Sequence, residues 1–137
     1  MPVPIINKEP NTGRLQKEDN GTVNIADLAV PKTHLFHNGT TVPGDGTKFD
    51  NTEGRDILTF DIAGTSTSQV YEFHGVGPGN VDILVTCYRA SDSESGTGTS
   101  VKGEIWSAPI KGLKQFYVKA TTLSGGTAIV TGWAEKA

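Results

Sequence analysis

The sequence predicts an all-β protein, an antiparallel β-sandwich of jelly-roll-like type with about eight strands. Several runs alternate apolar and polar residues with the period of two that places one side of a strand in a core. Residues that favour turns, including many of the 17 glycines, separate these runs at short intervals. No stretch of helix length carries the apolar spacing of an amphipathic helix. The chain of 137 residues is the size of one domain.

The chain divides into an extended N-terminal arm, residues 1–20, and a single sandwich domain, residues 21–137. Prolines recur through the first half of the arm, and proline favours an extended or polyproline II backbone. Val3, Ile5 and Ile6 have no neighbouring core in the sequence, so we expect them to contact a partner subunit. The alternative is an ordinary frayed terminus.

The first part of the domain is predicted to hold short strands and one polar loop. Residues 22–25 follow an Asn-Gly turn, and residues 33–37 are closed by a second Asn-Gly pair. Residues 43–55 are rich in glycine and in acidic or amide side chains, so we expect a loop there.

The strongest alternation lies in the middle of the chain. Leu58, Phe60 and Ile62 fall on one side of a predicted strand, and residues 69–74 form its expected partner strand. A further long strand is predicted over residues 81–88. Its predicted inward side consists of Val81, Ile83, Val85 and Cys87. Serine, glycine and threonine dominate the following residues, 91–100, which is typical of a flexible segment.

The last two strands are predicted to form a hairpin. Phe116, Val118 and Ala120 alternate with other side chains on the first strand, and residues 127–133 form the second. The intervening Ser-Gly-Gly at residues 124–126 suits a tight turn, because glycine adopts positive φ at little cost.

Composition argues against several classes of partner. The net charge is −3, the pI is about 5.5 and there is no basic tract, so we expect binding neither to nucleic acid nor to a membrane surface. The single cysteine excludes an intrachain disulfide. No apolar run is long enough to span a bilayer, and the first residues lack a signal-peptide pattern, so we expect synthesis in a cytoplasm.

The sequence shows no catalytic constellation, so we expect a protein that is not an enzyme and holds no cofactor. It lacks the Gly-x-Ser-x-Gly motif that presents a serine nucleophile. Cys87 lies within an apolar run, which is typical of a small core residue. Asp61, Glu72, Asp82 and Glu104 alternate with core positions on predicted strands, so we expect solvated, outward-facing charges.

The polar loop is a weak candidate for Ca²⁺ binding, since Ca²⁺ takes several oxygen ligands. The candidate ligands are Asp45, Asp50, Asn51, Glu53 and Asp56. Their spacing is not that of an EF-hand, and such residues are common in loops, so a solvated loop is the alternative.

The candidate rings for holding a carbohydrate are Trp106, Trp133, Tyr71, Tyr88 and Tyr117, because an aromatic face packs against the apolar face of a sugar. Trp133 and Tyr117 rank first among them. Most aromatic side chains of this chain must fill the core, so the alternative is that both rings are buried.

The C-terminal stretch "GLKQFYVKATTLSGGTAIVTGWAEKA" resembles the ending of small accessory virion proteins of tailed bacteriophages. A weaker similarity covers residues 56–90. The resemblance implies a jelly-roll or related sandwich and a role in capsid decoration or in tail or fibre attachment.

We therefore expect a virion structural protein, specifically a capsid decoration (cement) protein that bridges and stabilises major-capsid subunits. Its partners would be the major capsid protein or other virion subunits, and we expect a homo-oligomer, with a trimer as one option. The alternative is a tail- or fibre-associated receptor-binding module for a cell-surface glycan. A free-standing cytoplasmic sandwich is a third interpretation.

Overall fold

The structure, a computed structural model, describes residues 30–136, which form an antiparallel β-sandwich. This confirms the predicted fold class, although these residues form eleven strands rather than about eight. They contain no helix, and therefore none long and apolar enough to cross a membrane. The predicted contact residues Val3, Ile5 and Ile6 and the predicted strand at residues 22–25 lie outside the described residues.

Eleven strands build the two sheets. In chain order they are β1 (Lys32–Thr40), β2 (Phe49–Asp50), β3 (Ile57–Gly64), β4 (Ser68–Val76), β5 (Asp82–Leu84), β6 (Cys87–Arg89), β7 (Ser95–Gly96), β8 (Gly98–Thr99), β9 (Ile105–Pro109), β10 (Gln115–Ser124) and β11 (Ala128–Glu135). One sheet has six strands in the order β1-β11-β3-β9-β6-β7. The other has five strands in the order β2-β10-β4-β5, with β8 also pairing with β4. Late strands thus lie between early ones: β11 separates β1 from β3, and β10 separates β2 from β4.

The core fills the space between the sheets with side chains that the alternation predicts correctly. Leu58, Phe60 and Ile62 of β3 are buried, and so are the inward residues of β4 and β10. Four phenylalanine rings meet edge-on or tilted at centroid distances of 5.0–6.2 Å, and they are Phe36, Phe60, Phe73 and Phe116. Each such ring stabilises the fold by about 1.5–3 kcal/mol when it is fully buried. Cys87 is buried too, as predicted, and burial raises the pKa of its thiol.

The predicted C-terminal hairpin is wrong, because β10 and β11 lie in different sheets. β10 pairs with β2 and β4, whereas β11 pairs with β1 and β3. Gly125 and Gly126, at φ of 73° and 148°, carry the chain across the end of the sandwich. A Cβ on Gly126 would lie 2.5 Å from the carbonyl oxygen of Thr65, so no larger residue fits this crossing.

The expected pairing of β3 with β4 is wrong for the same reason, since these strands also belong to different sheets. The β3–β4 link packs beside the β10–β11 link. The amides of Thr65 and Ser66 both donate to the carbonyl of Thr127, at 2.9 and 3.0 Å, and the amide of Thr67 donates to the carbonyl of Ser124 at 3.1 Å. The two links therefore form one hydrogen-bonded end of the sandwich.

The predicted long strand that begins at Val81 divides into β5 and β6, one in each sheet. Val85 and Cys87 are buried as predicted, but Val81 and Ile83 are exposed. A segment that crosses from one sheet to the other cannot keep a single side toward the core, so the period of two breaks at the crossing.

The segment at residues 91–100, predicted to be flexible, contains the paired strands β7 and β8. Two glycines let it lie close against the sandwich. A Cβ on Gly98 would lie 2.4 Å from the carbonyl oxygen of Tyr71, and one on Gly96 would lie 3.3 Å from the ring of Trp106. The small residues thus permit close packing rather than flexibility.

Candidate functional site

The outer face of the six-stranded sheet carries its side chains in rows that cross the strands. One row runs across five strands, and its members are Thr33, Trp133, Thr59, Ser107 and Tyr88. We call the part from Trp133 to Tyr88 the aromatic row. The adjacent row consists of Leu35, Thr131, Asp61 and Ile105. Two aromatic side chains therefore flank two small hydroxyl side chains on one level of the sheet.

Both rings of the aromatic row are accessible to solvent. Trp133 is 49% exposed and Tyr88 is 48% exposed. A shallow depression of about 220 Å³ lies beside Trp133. The outward side chains that line it are Thr59, Asp61, Ile105, Thr131 and Trp133. The exposure expected for Trp133 is therefore found, while a role in holding sugar stays a prediction.

The polar side chains of this face lack internal partners. Within residues 30–136, the side chains of Thr59, Asp61, Ser107 and Thr131 form no hydrogen bond or ion pair. The exception is the Trp133 indole nitrogen, which donates to Glu135 at 3.1 Å. The face thus offers hydroxyls and a carboxylate that can bond to an external molecule.

The outer face of the five-stranded sheet is organised differently, around His74. Its Nδ1 lies 2.8 Å from an oxygen of Asp82, and its Nε2 lies 2.9 Å from an oxygen of Glu72. The Tyr117 hydroxyl donates to the other Asp82 oxygen, and the Tyr117 ring stacks on the imidazole at 4.9 Å. The ammonium of Lys48 lies 4.6 Å above the Tyr117 ring. We call these five residues the histidine cluster.

The charges of the histidine cluster stabilise one another. An ionised carboxylate only accepts hydrogen bonds, so each ring nitrogen of His74 faces an acceptor. Burial alone would raise the pKa of Asp82, but hydrogen bonds from Tyr117 and His74 outweigh it and hold that pKa below its usual value. Burial and the adjacent carboxylate of Asp82 raise the pKa of Tyr117. The five residues of the histidine cluster therefore satisfy one another's hydrogen bonds and ring contacts.

The exposure expected for Tyr117 is wrong, because only 4% of this residue is exposed. Tyr117 does point away from the core, as the alternation predicts, but His74 and Lys48 cover its two ring faces. No ring face is left on which a sugar could stack.

A third feature is the edge of the five-stranded sheet at β5. This strand pairs with β4 on one side, and no other strand of the described chain pairs with its opposite side. Three large apolar side chains are exposed at this edge, and they are Val81, Ile83 and Leu84. An open strand edge with apolar side chains is a template for contact with another chain. We call it the apolar edge.

The predicted Ca²⁺ ligands do not come together, since their side chains serve different structural contacts. The Asn51 amide donates to three backbone carbonyls at 3.0–3.2 Å, Glu53 pairs with Arg55 at 2.8 Å, and Asp50 accepts from Gln115 at 2.6 Å. Within the part of the chain that the structure describes, no three acidic, histidine or cysteine side chains form a metal-binding group. The remaining candidates, Asp45 and Asp56, belong to no such group either.

A larger depression, of about 430 Å³, lies beside Arg89. Its charges are already paired: Arg89 bonds to Asp92 at 2.7 Å and to Glu104 at 2.9 Å, and its guanidinium lies over the Trp106 ring. This arrangement fixes the end of the sandwich and leaves no unpaired charge for a ligand.

Sequence reasoning missed Thr59 and Ser107 as site residues and ranked Tyr88 behind Trp133 and Tyr117. Alternation with the buried Cys87 does indicate that Tyr88 faces outward. Nothing in the sequence indicates that β6 lies two strands from β3, so the row became visible only with the sheet order.

These features define a class of protein, an antiparallel β-sandwich that exposes an aromatic row on one sheet and an apolar strand edge on the other. Residues 31–134 match the family model XepA. The chain therefore belongs to the XepA family, a family of phage-derived proteins.

Individual proteins of known sequence or structure agree with this assignment. The chain is 24% identical over 100 residues to the phage-like element PBSX protein XepA of Bacillus subtilis (strain 168), a match that covers 73% of this chain and 36% of XepA. It is similar to the crystal structure of the SPBc2 prophage-derived protein YomS, with a TM-score of 0.69 and 25% identity, covering 84% of this chain and 98% of YomS.

The crystal structure of the PBSX exported protein XepA has the same fold, with a TM-score of 0.71 at 21% identity. That match covers 90% of this chain and 48% of the XepA chain. The chain thus spans about a third of the curated relative in the sequence comparison and about half of its solved structure.

Proposed function

We propose that this protein is a structural component of a phage particle, that it is not an enzyme, and that it decorates the capsid by bridging major-capsid subunits. The phage-derived family supports the phage role. XepA is called an exported protein, which is compatible with a chain that leaves the cell within a virion. In the histidine cluster both ring nitrogens of His74 are engaged by carboxylates, which favours a structural over a catalytic role.

The observation that carries this proposal is the apolar edge. Ile83 and Leu84 are about half exposed on a strand whose outer side is unpaired. Proteins usually protect such edges, because unpaired backbone groups beside apolar side chains bind other chains. A capsid subunit that adds a strand here would satisfy the free backbone groups and bury the apolar side chains together. Binding to assembled shells would also stabilise the shell by linkage.

The N-terminal arm is the second proposed contact. Val3, Ile5 and Ile6 would reach a neighbouring subunit, either of the shell or of this protein in a homo-oligomer such as a trimer. A chain that begins at Gly21 should therefore bind shells more weakly than the full chain, in the same sedimentation assay as below. Equal binding would remove the arm from the proposal and leave the apolar edge.

The test is co-sedimentation of the full chain with intact virions and with empty capsids of the same phage, counting copies per shell. We expect many copies per shell for the unaltered protein. Val81→Lys should reduce binding about tenfold, because the contact would bury an unpaired ammonium. Val42→Lys is the matched control, since Val42 is an equally exposed valine in the loop before β2.

Two outcomes would contradict the proposal. If the unaltered protein stays in the supernatant, the decoration role is wrong. If Val81→Lys and Val42→Lys bind equally well, the apolar edge is not the contact.

A tail- or fibre-associated receptor-binding role is the second candidate, and the exposure of Trp133 is the observation that favours it. It would yield only a few copies per particle in the same assay. Antibody labelling in electron micrographs would then place the protein at the tail rather than over the shell.

A further inference from the structure

We propose that the aromatic row and the depression beside it bind an uncharged saccharide chain. The site lies on the face of the six-stranded sheet, whereas the apolar edge belongs to the other sheet, so this binding goes beyond capsid attachment and does not depend on it. A decorated particle would then present one sugar-binding face per copy.

The spacing of the two rings suits an extended ligand. Trp133 lies on β11 and Tyr88 on β6, with β3 and β9 between them. Neighbouring strands lie about 4.8 Å apart, so the two rings are roughly 14 Å apart along the row. A single sugar ring can stack on Trp133, while a longer chain can reach Tyr88 as well.

The floor between the rings supplies hydrogen-bonding groups. The Thr59 and Ser107 hydroxyls lie in the row itself, and Asp61 and Thr131 lie in the adjacent row. None of these side chains has a partner within residues 30–136. A sugar presents hydroxyls along its rim and an apolar face, so it can bond to this floor and stack on the rings at the same time.

The charges of the face favour an uncharged saccharide. The depression is lined by one ionisable side chain, Asp61, which has no partner within residues 30–136, and Glu135 accepts from the adjoining Trp133 indole. Both are acids, so phosphorylated or uronic saccharides would be repelled. Neutral and N-acetylated sugars meet no such repulsion, and their hydroxyls can donate to Asp61.

The same floor disfavours a flat apolar protein surface as the occupant. Such a surface would bury the Asp61 carboxylate and the two hydroxyls of the row without hydrogen bonds, and each unsatisfied group would weaken that contact. This distinguishes the aromatic row from the apolar edge, whose exposed side chains carry no polar groups of this kind.

Tryptophan fluorescence gives a direct test on the free, full-length protein. Trp106 is buried, so quenching by acrylamide reports mainly on Trp133. The probes are maltotetraose, cellotetraose and tetra-N-acetylchitotetraose at millimolar concentration, with a heparin tetrasaccharide as the anionic comparison. We expect at least one neutral probe to protect Trp133 from quenching and the anionic probe to have no effect.

Substitutions assign the site, with affinities measured by isothermal titration calorimetry. Trp133→Thr keeps a strand-favouring residue and removes the ring, so binding should weaken about tenfold. Tyr88→Thr should weaken binding of the tetrasaccharide and leave the corresponding monosaccharide unaffected. Val42→Thr, at an exposed residue in the loop before β2, is the control and should bind as the unaltered protein does. Circular dichroism checks that each variant is folded.

Three results would overturn the proposal. No neutral probe protects Trp133, or Trp133→Thr binds sugar as well as Val42→Thr does, or purified capsids protect Trp133 while sugars do not. The last result would make this face a protein-binding surface. Because the sugar assay uses no virion, failure of capsid attachment and failure of sugar binding are separate outcomes.

Discussion

On the outer face of the five-stranded sheet Tyr117 is covered on both ring sides, whereas on the outer face of the six-stranded sheet Trp133 is half exposed. Both are aromatic residues at outward positions of long strands near the C-terminus. The difference lies in their neighbours, since His74 and Lys48 complete the environment of Tyr117 and small hydroxyl residues surround Trp133. The side chains on the adjacent strands therefore decide whether an outward-facing ring is packed within the protein or left exposed to bind a ligand.

The largest predicted effect is a difference in the free energy of unfolding between variants of these two rings. Tyr117→Ala should lower the free energy of unfolding by about 3 kcal/mol, because it removes a buried ring together with its bond to Asp82. Trp133→Ala should change it by less than about 1 kcal/mol, since about half of that residue is already exposed to solvent. Urea unfolding followed by circular dichroism measures both.

The control for that pair is Tyr117→Phe, which keeps the ring and removes only the hydroxyl. It should cost less than Tyr117→Ala. Equal losses for Tyr117→Ala and Trp133→Ala would show that the two faces do not differ in the way described.

A second prediction concerns the pH dependence that the buried histidine, His37, gives to stability. His37 is buried in the core, with Nε2 2.6 Å from the Val118 carbonyl oxygen, and burial lowers its pKa although the carbonyl opposes the shift. Below pH 6.5 the unfolded chain therefore binds a proton that the folded chain resists, so stability falls as the pH falls toward the folded pKa. The loss can reach about 1.4 kcal/mol per pH unit in that window.

Urea unfolding between pH 7.5 and 5.5, with denaturation free energies compared at each pH, measures this loss (an interval of roughly one unit on either side of the ordinary histidine pKa). His37→Gln replaces the imidazole with a side-chain amide, which can still donate a hydrogen bond but does not titrate, so it should reduce the pH dependence. If that variant does not fold, an NMR titration of the unaltered protein serves instead. Protonation of the His37 ring at its ordinary pH would contradict the prediction.

The smallest predicted effect is the loss of stability when the Lys48 charge is removed from the histidine cluster. Lys48→Met keeps the apolar stem over Tyr117 and removes the charge, so stability should fall by about 0.5–1 kcal/mol. Lys119→Met is the control. Lys119 lies on the same face of β10 as Tyr117, and no ring contact of Lys119 is found in the described chain. A shift of the urea midpoint by the same amount in both variants would mean that general charge, not the ring contact, is responsible.

Alternation in the sequence predicts which side of each strand faces the core, and Leu58, Phe60 and Ile62 confirm it. It does not predict which sheet a strand joins, because strands of both sheets face the same core. For this reason the local pattern of β10 and β11 predicts a hairpin, and the pattern across the crossing after Val85 predicts one continuous strand. The fold class could thus be predicted from local periodicity, but the topology could not.

The candidate site was predictable only in part. Trp133 could be named from its residue type, but its row partners depend on strand order, which no local pattern encodes. The prediction of a Ca²⁺ site in the polar loop failed for a different reason. Asn51 bonds to backbone carbonyls as distant in sequence as Ile110 and Leu113, so its amide serves the fold rather than a metal.

The position of β11 sets the timing of folding. This strand is the last of the described strands to be synthesised, yet it lies between β1 and β3 within the six-stranded sheet. Lys32 pairs with Ala134, so the sheet cannot close until nearly the whole described chain has left the ribosome. Pairings between such distant residues slow folding, because a long loop must close before they form. The six-stranded sheet should therefore close only after β11 has left the ribosome, and until then its strand edges remain open to other chains.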